Sequence, residues 1–217
     1  MFEEVLSKDA KKSLDLLGQR GLLDSAYLAG GTALALQLGH RYSYDFDFFA
    51  SEKFDERILI QRITELFPDF NLERKDWETI LGYLGKTRFS LFFYKYPLLF
   101  KSHKFLDINV ADIKDIAAMK IAAIAARGTK RDFIDLYFIF NEAKIITLEE
   151  SLKLYDKKFK TLSQNKIHIF KSLVYFEDAD REKSPKMIKL VSWPKVKEFF
   201  INEQKKLAKK FLTFDLK

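Results

Sequence analysis

The chain has 217 residues, 47% of them hydrophobic and 15% aromatic, enough apolar surface for one ordinary domain or a domain with a helical appendage. It contains no cysteine, which excludes disulfides and thiolate metal sites and fits a reducing, cytoplasmic setting. A formal charge of +7 fits either a polyanionic partner or lysines carried simply for solubility, and no apolar run approaches the roughly 20 residues of a membrane span.

The polar start is unlike a signal peptide. Leu6, Ala10, Leu14 and Leu17 recur at helical spacing, predicting a helix over 5–17 that Gly18 and Gly21 end. A short buried strand over 22–29 leads into Gly30-Gly31-Thr32. Thr32 is placed to cap a helix over 33–38, and Gly39 suits its left-handed end. His40, Arg41 and Ser43 read as a polar turn before a strand over 44–49. Alternation puts Asp45 and Asp47 on one face of that strand and its aromatics on the other.

This stretch carries the chemistry. Two adjacent carboxylates repel unless a cation lies between them, and Mg²⁺ is held by one or two carboxylates plus substrate phosphates. The N–H groups of a Gly-Gly turn opening a helix attract anions. The unit thus combines a phosphate cradle with a metal clamp, which suits phosphoryl or nucleotidyl transfer. The alternative is an edge strand whose acids simply face solvent.

Further on, Asp55 caps a helix of Ile58, Ile60, Ile63, Leu66 and Phe67 that Pro68 stops. Strands follow over 71–75, 79–84 and 88–96, with a turn at Gly85-Lys86 and one more strand over 104–110 containing Asp107. A helix over 113–126, with Asp112 as its cap, offers Met119, Ala122, Ala123 and Ala126 as a close-packing face and holds Lys120 in an apolar run, where by itself it reads as a snorkelling lysine. Gly128 suits its end. The next helix, 131–141, puts Asp132 and Asp135 on one side, and Arg131 can pair with Asp135. The remainder reads as a helix over 148–160, a further helix or irregular apolar stretch over 166–175, a charged loop over 176–187, and a lysine-studded helix from Ser192-Trp193-Pro194 to about 211. No GxxxxGK[ST] phosphate loop or kinase signature occurs.

GGTALALQLGHRYSYDFDFF resembles the first motif of the nucleotidyltransferase AbiEii/AbiGii toxin family, within the polymerase-beta-like nucleotidyltransferase superfamily. DIAAMKIAAIAARGTKRDFIDLYFIF, from Asp115 to Phe140, is similar to its downstream motifs. The resemblance implies an α+β fold, a nucleotidyltransferase-type mixed sheet flanked by helices with a mainly helical C-terminal part. It implies a nucleotidyltransferase core over 1–112 and a helical region over 113–217 that completes the active-site cleft. The implied activity is transfer of an NMP from an NTP, with Mg²⁺ or Mn²⁺, to an RNA acceptor such as tRNA, by the toxin of a toxin–antitoxin or abortive-infection pair with a cognate antitoxin. The catalytic set is then Asp45, Asp47, Lys120 and Asp135, with Asp45 and Asp47 holding the metal. Gly30, Gly31, Thr32, Arg41, Ser43 and Lys120 bind nucleotide, and Asp132, Arg131 and Asp107 are supporting candidates. Asp107, outside the family's own motifs, is either a third metal ligand of the kind many nucleotidyltransferases carry or a simple solvent-facing acid, and Asp135 is a candidate to orient or deprotonate the acceptor hydroxyl. The rival reading is a non-catalytic module that uses the same fold to bind RNA or protein.

Overall fold

The computed structural model describes residues 1–214, the side chains of 162–164 and 211–214 apart; residues 215–217, the end of the expected helical region, lie outside the described residues. The chain divides into two compact units, Met1–Asp112 and Ile113–Lys217. The first holds a seven-stranded mixed sheet and the second is helical, an α+β architecture.

In the first unit, helix α1 spans Lys8–Gln19, capped by the Ser7 hydroxyl, which accepts from Ala10 N–H. Gly18 lies inside α1 rather than ending it. A Cβ built there would sit 1.9 Å from the Leu106 carbonyl oxygen, so glycine is required by close packing. Strand β1 (Ala26–Ala29) is buried throughout and leads directly into α2 (Gly30–Leu38). Gly39 ends α2 in the left-handed conformation, with φ 59°. Strand β2 (Asp45–Ala50) follows, and Asp55 caps α3 (Glu56–Leu66). Strands β3 (Asn71–Asp76), β4 (Thr79–Leu84) and β5 (Thr87–Phe93) form a meander.

The expected single strand over 104–110 is instead a hairpin. Strand β6 (His103–Phe105) turns through Leu106 and Asp107, at φ 49° and 60°, into β7 (Ile108–Val110). The sheet order is β3-β4-β5-β2-β1-β7-β6, with β2 parallel to β5, β1 parallel to β7 and the other pairs antiparallel. β2 is therefore an interior strand, which removes the reading of its acids as ornaments of an edge. One sheet face buries Phe46, Phe48, Phe89, Ile80 and Leu91. Each such side chain contributes about 1.5–3 kcal/mol on leaving water. Helix α2 packs on β1 and β2, and α3 on β4.

In the second unit, α4 (Ile113–Ala126) ends at Gly128, φ 53°, and α5 (Lys130–Tyr137) continues into a π-helical turn at Phe138–Glu142. Helix α6 (Leu148–Phe159) opens on a Thr147/Glu150 capping box and packs on α4. Helices α7 (Leu162–Ser172), α8 (Glu177–Arg181) and α9 (Trp193–Phe214) complete it. The short α8 occupies part of the expected charged loop. Its Asp180 receives Trp193 Nε1–H at 2.5 Å and Lys197 Nζ at 3.0 Å.

The expected packing face of α4 is rotated. Met119, Ala122 and Ala123 are half-buried and Ala126 is exposed, whereas Ile116, Ala117, Lys120, Ile121 and Ile124 are buried. The buried face thus includes a lysine because acids on α5 compensate its charge. A second fully buried ion pair, Lys158 to Asp115 at 3.0 Å, joins α6 to α4.

Candidate active site

The first unit gathers Gly30, Gly31, Thr32, Arg41, Ser43, Asp45 and Asp47 around the start of α2. Helix formation begins at Gly30 rather than at residue 33, so Thr32 is not the cap but a residue of the first turn. The Ala29 side chain provides no cap, and the opening turn keeps N–H groups that carry the positive end of the helix dipole. Gly30 has φ 66°, and a Cβ there would lie 2.8 Å from Asp47 Oδ2. The Asp47 carboxylate thus sits against the backbone where the helix begins.

Gly31 makes room for a different neighbour. A Cβ on it would lie 2.3 Å from Arg41 Nη2, so the buried guanidinium packs over this glycine, with Nη1 donating to the Tyr42 carbonyl at 3.0 Å. The space over Gly31 is thus already used by Arg41. The Thr32 hydroxyl is buried, 2.7 Å from Ser43 Oγ, and it also bonds the Asp45 carbonyl. The side chains of Thr32 and Ser43 therefore tie the α2 opening to β2, and the Thr32 backbone N–H is what remains in the first turn.

Asp45 and Asp47 are half-buried on one face of β2, while Phe46, Phe48 and Ala50 are buried on the other. Phe49 shares the face of the acids by alternation, so the aromatics do not all segregate as expected. Paired hard oxygen donors beside a helix N-terminus suit a divalent ion carrying phosphate. Among the described residues no group of three or more His, Asp or Glu could hold a metal, so an ion here would complete its shell with water and phosphate oxygens. Asp107 does not extend the pair. It is exposed at the β6–β7 turn, at the start of β7, whereas Asp47 is level with Ala29 near the far end of that strand.

The second unit gathers Lys120, Asp132 and Asp135. The Lys120 ammonium, 8% exposed, contacts Asp132 Oδ1 and Asp135 Oδ2, each at 2.7 Å, and both carboxylates are buried. It is not a snorkelling surface lysine. Asp132 also accepts from the Thr129 hydroxyl at 2.7 Å and from Arg127 Nε at 3.3 Å. Thr129 reciprocates by capping α5. Burial pushes the Asp132 carboxyl up, but Lys120 and Arg127 outweigh it and hold it below the usual carboxylate range. Asp132 supports the helix end and Lys120, while Lys130 bonds the Glu182 carbonyl and stacks at 5.3 Å over Trp193. Arg131 is exposed. Sequence reasoning missed the roles of Thr129 and Arg127 here; a Thr-x-x-Asp spacing at the start of α5 was the available signal.

Comparison with known proteins gives a consistent picture. Residues 14–81 and 90–212 match the family model for the nucleotidyl transferase AbiEii toxin of type IV toxin–antitoxin systems. An uncharacterised protein of Aquifex aeolicus is 40% identical over 204 residues, covering 90% of this chain and 94% of its own length. Among solved structures, JHP933 from Helicobacter pylori aligns with a TM-score of 0.54 at 18% identity, covering 97% of this chain and 98% of its own. MenT4, a nucleotidyltransferase toxin from Mycobacterium tuberculosis, aligns with a TM-score of 0.56 at 17% identity, covering 91% and 82%. Both solved structures share the nucleotidyltransferase-type fold.

Proposed function

Because this chain belongs to the nucleotidyltransferase AbiEii toxin family, we propose that it transfers an NMP from an NTP to a nucleic-acid acceptor and acts as a growth-inhibiting toxin with a cognate antitoxin. The observation that carries this reading is the Asp45–Asp47 pair on an interior strand, with Asp47 against the glycine that opens α2. N–H groups of Gly30, Gly31 and Thr32 donate to phosphate oxygens. Asp45 and Asp47 would hold Mg²⁺ or Mn²⁺, which when bound neutralises charge on the phosphates. Arg41 and Ser43 act mainly by fixing this turn. Within the helical unit, Asp132 and Asp135 fix the position of the Lys120 ammonium. The burial of Asp135 favours holding Lys120 over taking a proton from an acceptor. The acceptor hydroxyl oxygen bonds to the α-phosphorus, the bond to the bridging oxygen breaks, pyrophosphate leaves, and the hydroxyl proton passes to solvent.

A polyanionic acceptor is supported by how charge is divided. Ile113–Lys217 carries 23 Lys and Arg against 14 Asp and Glu, whereas Met1–Asp112 carries 15 against 17. The whole positive excess belongs to the helical unit. No described helix is long and apolar enough to cross a membrane, and we place the activity in the cytoplasm. The test is incubation with each labelled NTP, Mg²⁺ or Mn²⁺, and total RNA, in wild type and Asp47→Asn. Label on RNA that depends on Asp47 supports the proposal. Equal labelling by both proteins refutes the carboxylate assignment, and RNA binding without label under any NTP favours the non-catalytic module.

A further inference from the structure

We propose that the sheet face continuing from Asp47 across β5 is a stacking platform for the unpaired end of an RNA strand, with a terminal base against Phe92 and Phe49. This rests on the nucleotidyl-transfer reading for its direction, and on the face itself for its chemistry.

Strand register defines the face. Asp45 pairs with Arg88, Asp47 with Ser90 and Phe49 with Phe92 across β2 and β5, so these side chains share one side of the sheet. On β4, Tyr83, Leu81 and Thr79 pair with Arg88, Ser90 and Phe92 in turn. The opposite side is the buried core, but Phe49, Phe92, Leu81 and Tyr83 are only half-buried. The rings form a connected group. Phe49 lies 5.7 Å from Phe92, 5.1 Å from Tyr94 and 5.9 Å from Tyr27, and Tyr94 lies 5.2 Å from Tyr96.

Cations border the rings. Lys95 is exposed, 5.5 Å over Tyr96, and Arg88 is exposed beside Asp45, its partner Glu73 standing 3.8 Å away. Aromatic faces bordered by cations suit bases joined by phosphates. Direction follows from the reaction. In-line displacement requires the attacking hydroxyl to enter opposite the departing pyrophosphate. The phosphate cradle lies at the β1–α2 side of β2, and the other neighbour of β2 is β5. The acceptor therefore arrives over β5, across Arg88, Ser90 and Phe92.

The test uses a labelled single-stranded RNA oligonucleotide and its blunt duplex, with binding followed by fluorescence anisotropy and NTP affinity by equilibrium dialysis. The single strand should bind more tightly than the duplex. Phe92→Leu should weaken single-strand binding roughly five- to hundredfold, the loss of one base–aromatic stack, while NTP affinity holds. Phe92→Tyr should restore it. Arg88→Gln, at an exposed position, should weaken binding and reduce its salt dependence by the share of about one phosphate contact. Wild-type RNA affinity in Phe92→Leu and Arg88→Gln, equal binding of the duplex, or label transferred to protein while RNA is ignored would overturn the platform. The two readings separate cleanly. Phe92-dependent RNA binding without transfer keeps the platform and removes the enzyme, whereas transfer to RNA with Phe92-insensitive binding does the reverse.

Discussion

Replacing Lys120 by methionine removes the shared cation of Asp132 and Asp135 while keeping the volume of α4's buried face. Both carboxylates are buried, at 1% and 0% side-chain exposure, so they cannot recover hydration in place. Breaking a buried pair in this way costs about 3–5 kcal/mol. The variant can limit the cost by protonating one carboxyl. With an unfolded value near 3.9, that requires about 4 kcal/mol at pH 7 but only about 1.5 kcal/mol at pH 5. The penalty should therefore shrink by about 2–3 kcal/mol between these pH values. The contribution of Asp132 in wild type should change little over the same window. Its carboxyl is held below the ordinary carboxylate value, so that contribution is fully present above about pH 4 and is lost only as pH falls through the folded value. Urea unfolding can be read through Trp193, whose ring lies 6.0 Å from Phe133 of α5, because the other tryptophan, Trp77, is already 92% exposed. A Lys120→Met penalty below about 1 kcal/mol at pH 7, or one equal at both pH values, would refute the picture of a buried lysine balancing two acids.

Asp47→Asn should reduce metal-dependent transfer by at least about a hundredfold with little change in melting temperature; an active variant contradicts the metal assignment. Gly31→Ala should lower both stability and NTP affinity, because its Cβ must displace Arg41 as well as crowd the cradle; thermal melting and NTP dialysis check this together. Asp115→Ala alone should cost about 3–5 kcal/mol in urea unfolding by leaving Lys158 buried, whereas Asp115→Leu with Lys158→Met should recover most of it. A double variant no better than the single one argues against that account. Thr32→Val should cost about 1–3 kcal/mol by leaving Ser43 and the Asp45 carbonyl short of a partner, again read by urea unfolding.

What was legible in the sequence is what local periodicity encodes. The placement of Asp45 and Asp47 together, opposite Phe46 and Phe48, follows from strand alternation. The left-handed ends at Gly39 and Gly128 follow from glycine's freedom, and the Asp55 cap from its place before an apolar-periodic run. The hairpin at Leu106-Asp107 was hidden because two non-glycine residues adopt positive φ there, with no Asn-Gly or Asp-Gly signal. Gly18 resembled a helix stop, yet what demands glycine is a carbonyl 88 residues further along the chain, at Leu106. The buried face of α4 was misread for a similar reason. A lysine is counted as polar until its partners are known, and those of Lys120 come from the next helix. The resemblance to a family named Lys120, Asp132 and Asp135, but only geometry shows that they form one ion-paired group.

The close fit of Asp47 against Gly30 makes two positions, 17 residues apart, a single heritable unit. The space a side chain would need at 30 is filled by the carboxylate at 47, so a side chain at 30 would have to displace that acid. A descendant that abandons catalysis and loses its acid at 47 is released at 30 as well, apart from the constraint of the left-handed backbone. A descendant that keeps the acid has two reasons to keep glycine, the carboxylate and the left-handed backbone. Aligned relatives should therefore show glycine at 30 wherever 47 is acidic, and drift at 30 chiefly among those that have lost it. Glycine would then mark a chain still selected for chemistry, even though glycine itself performs none.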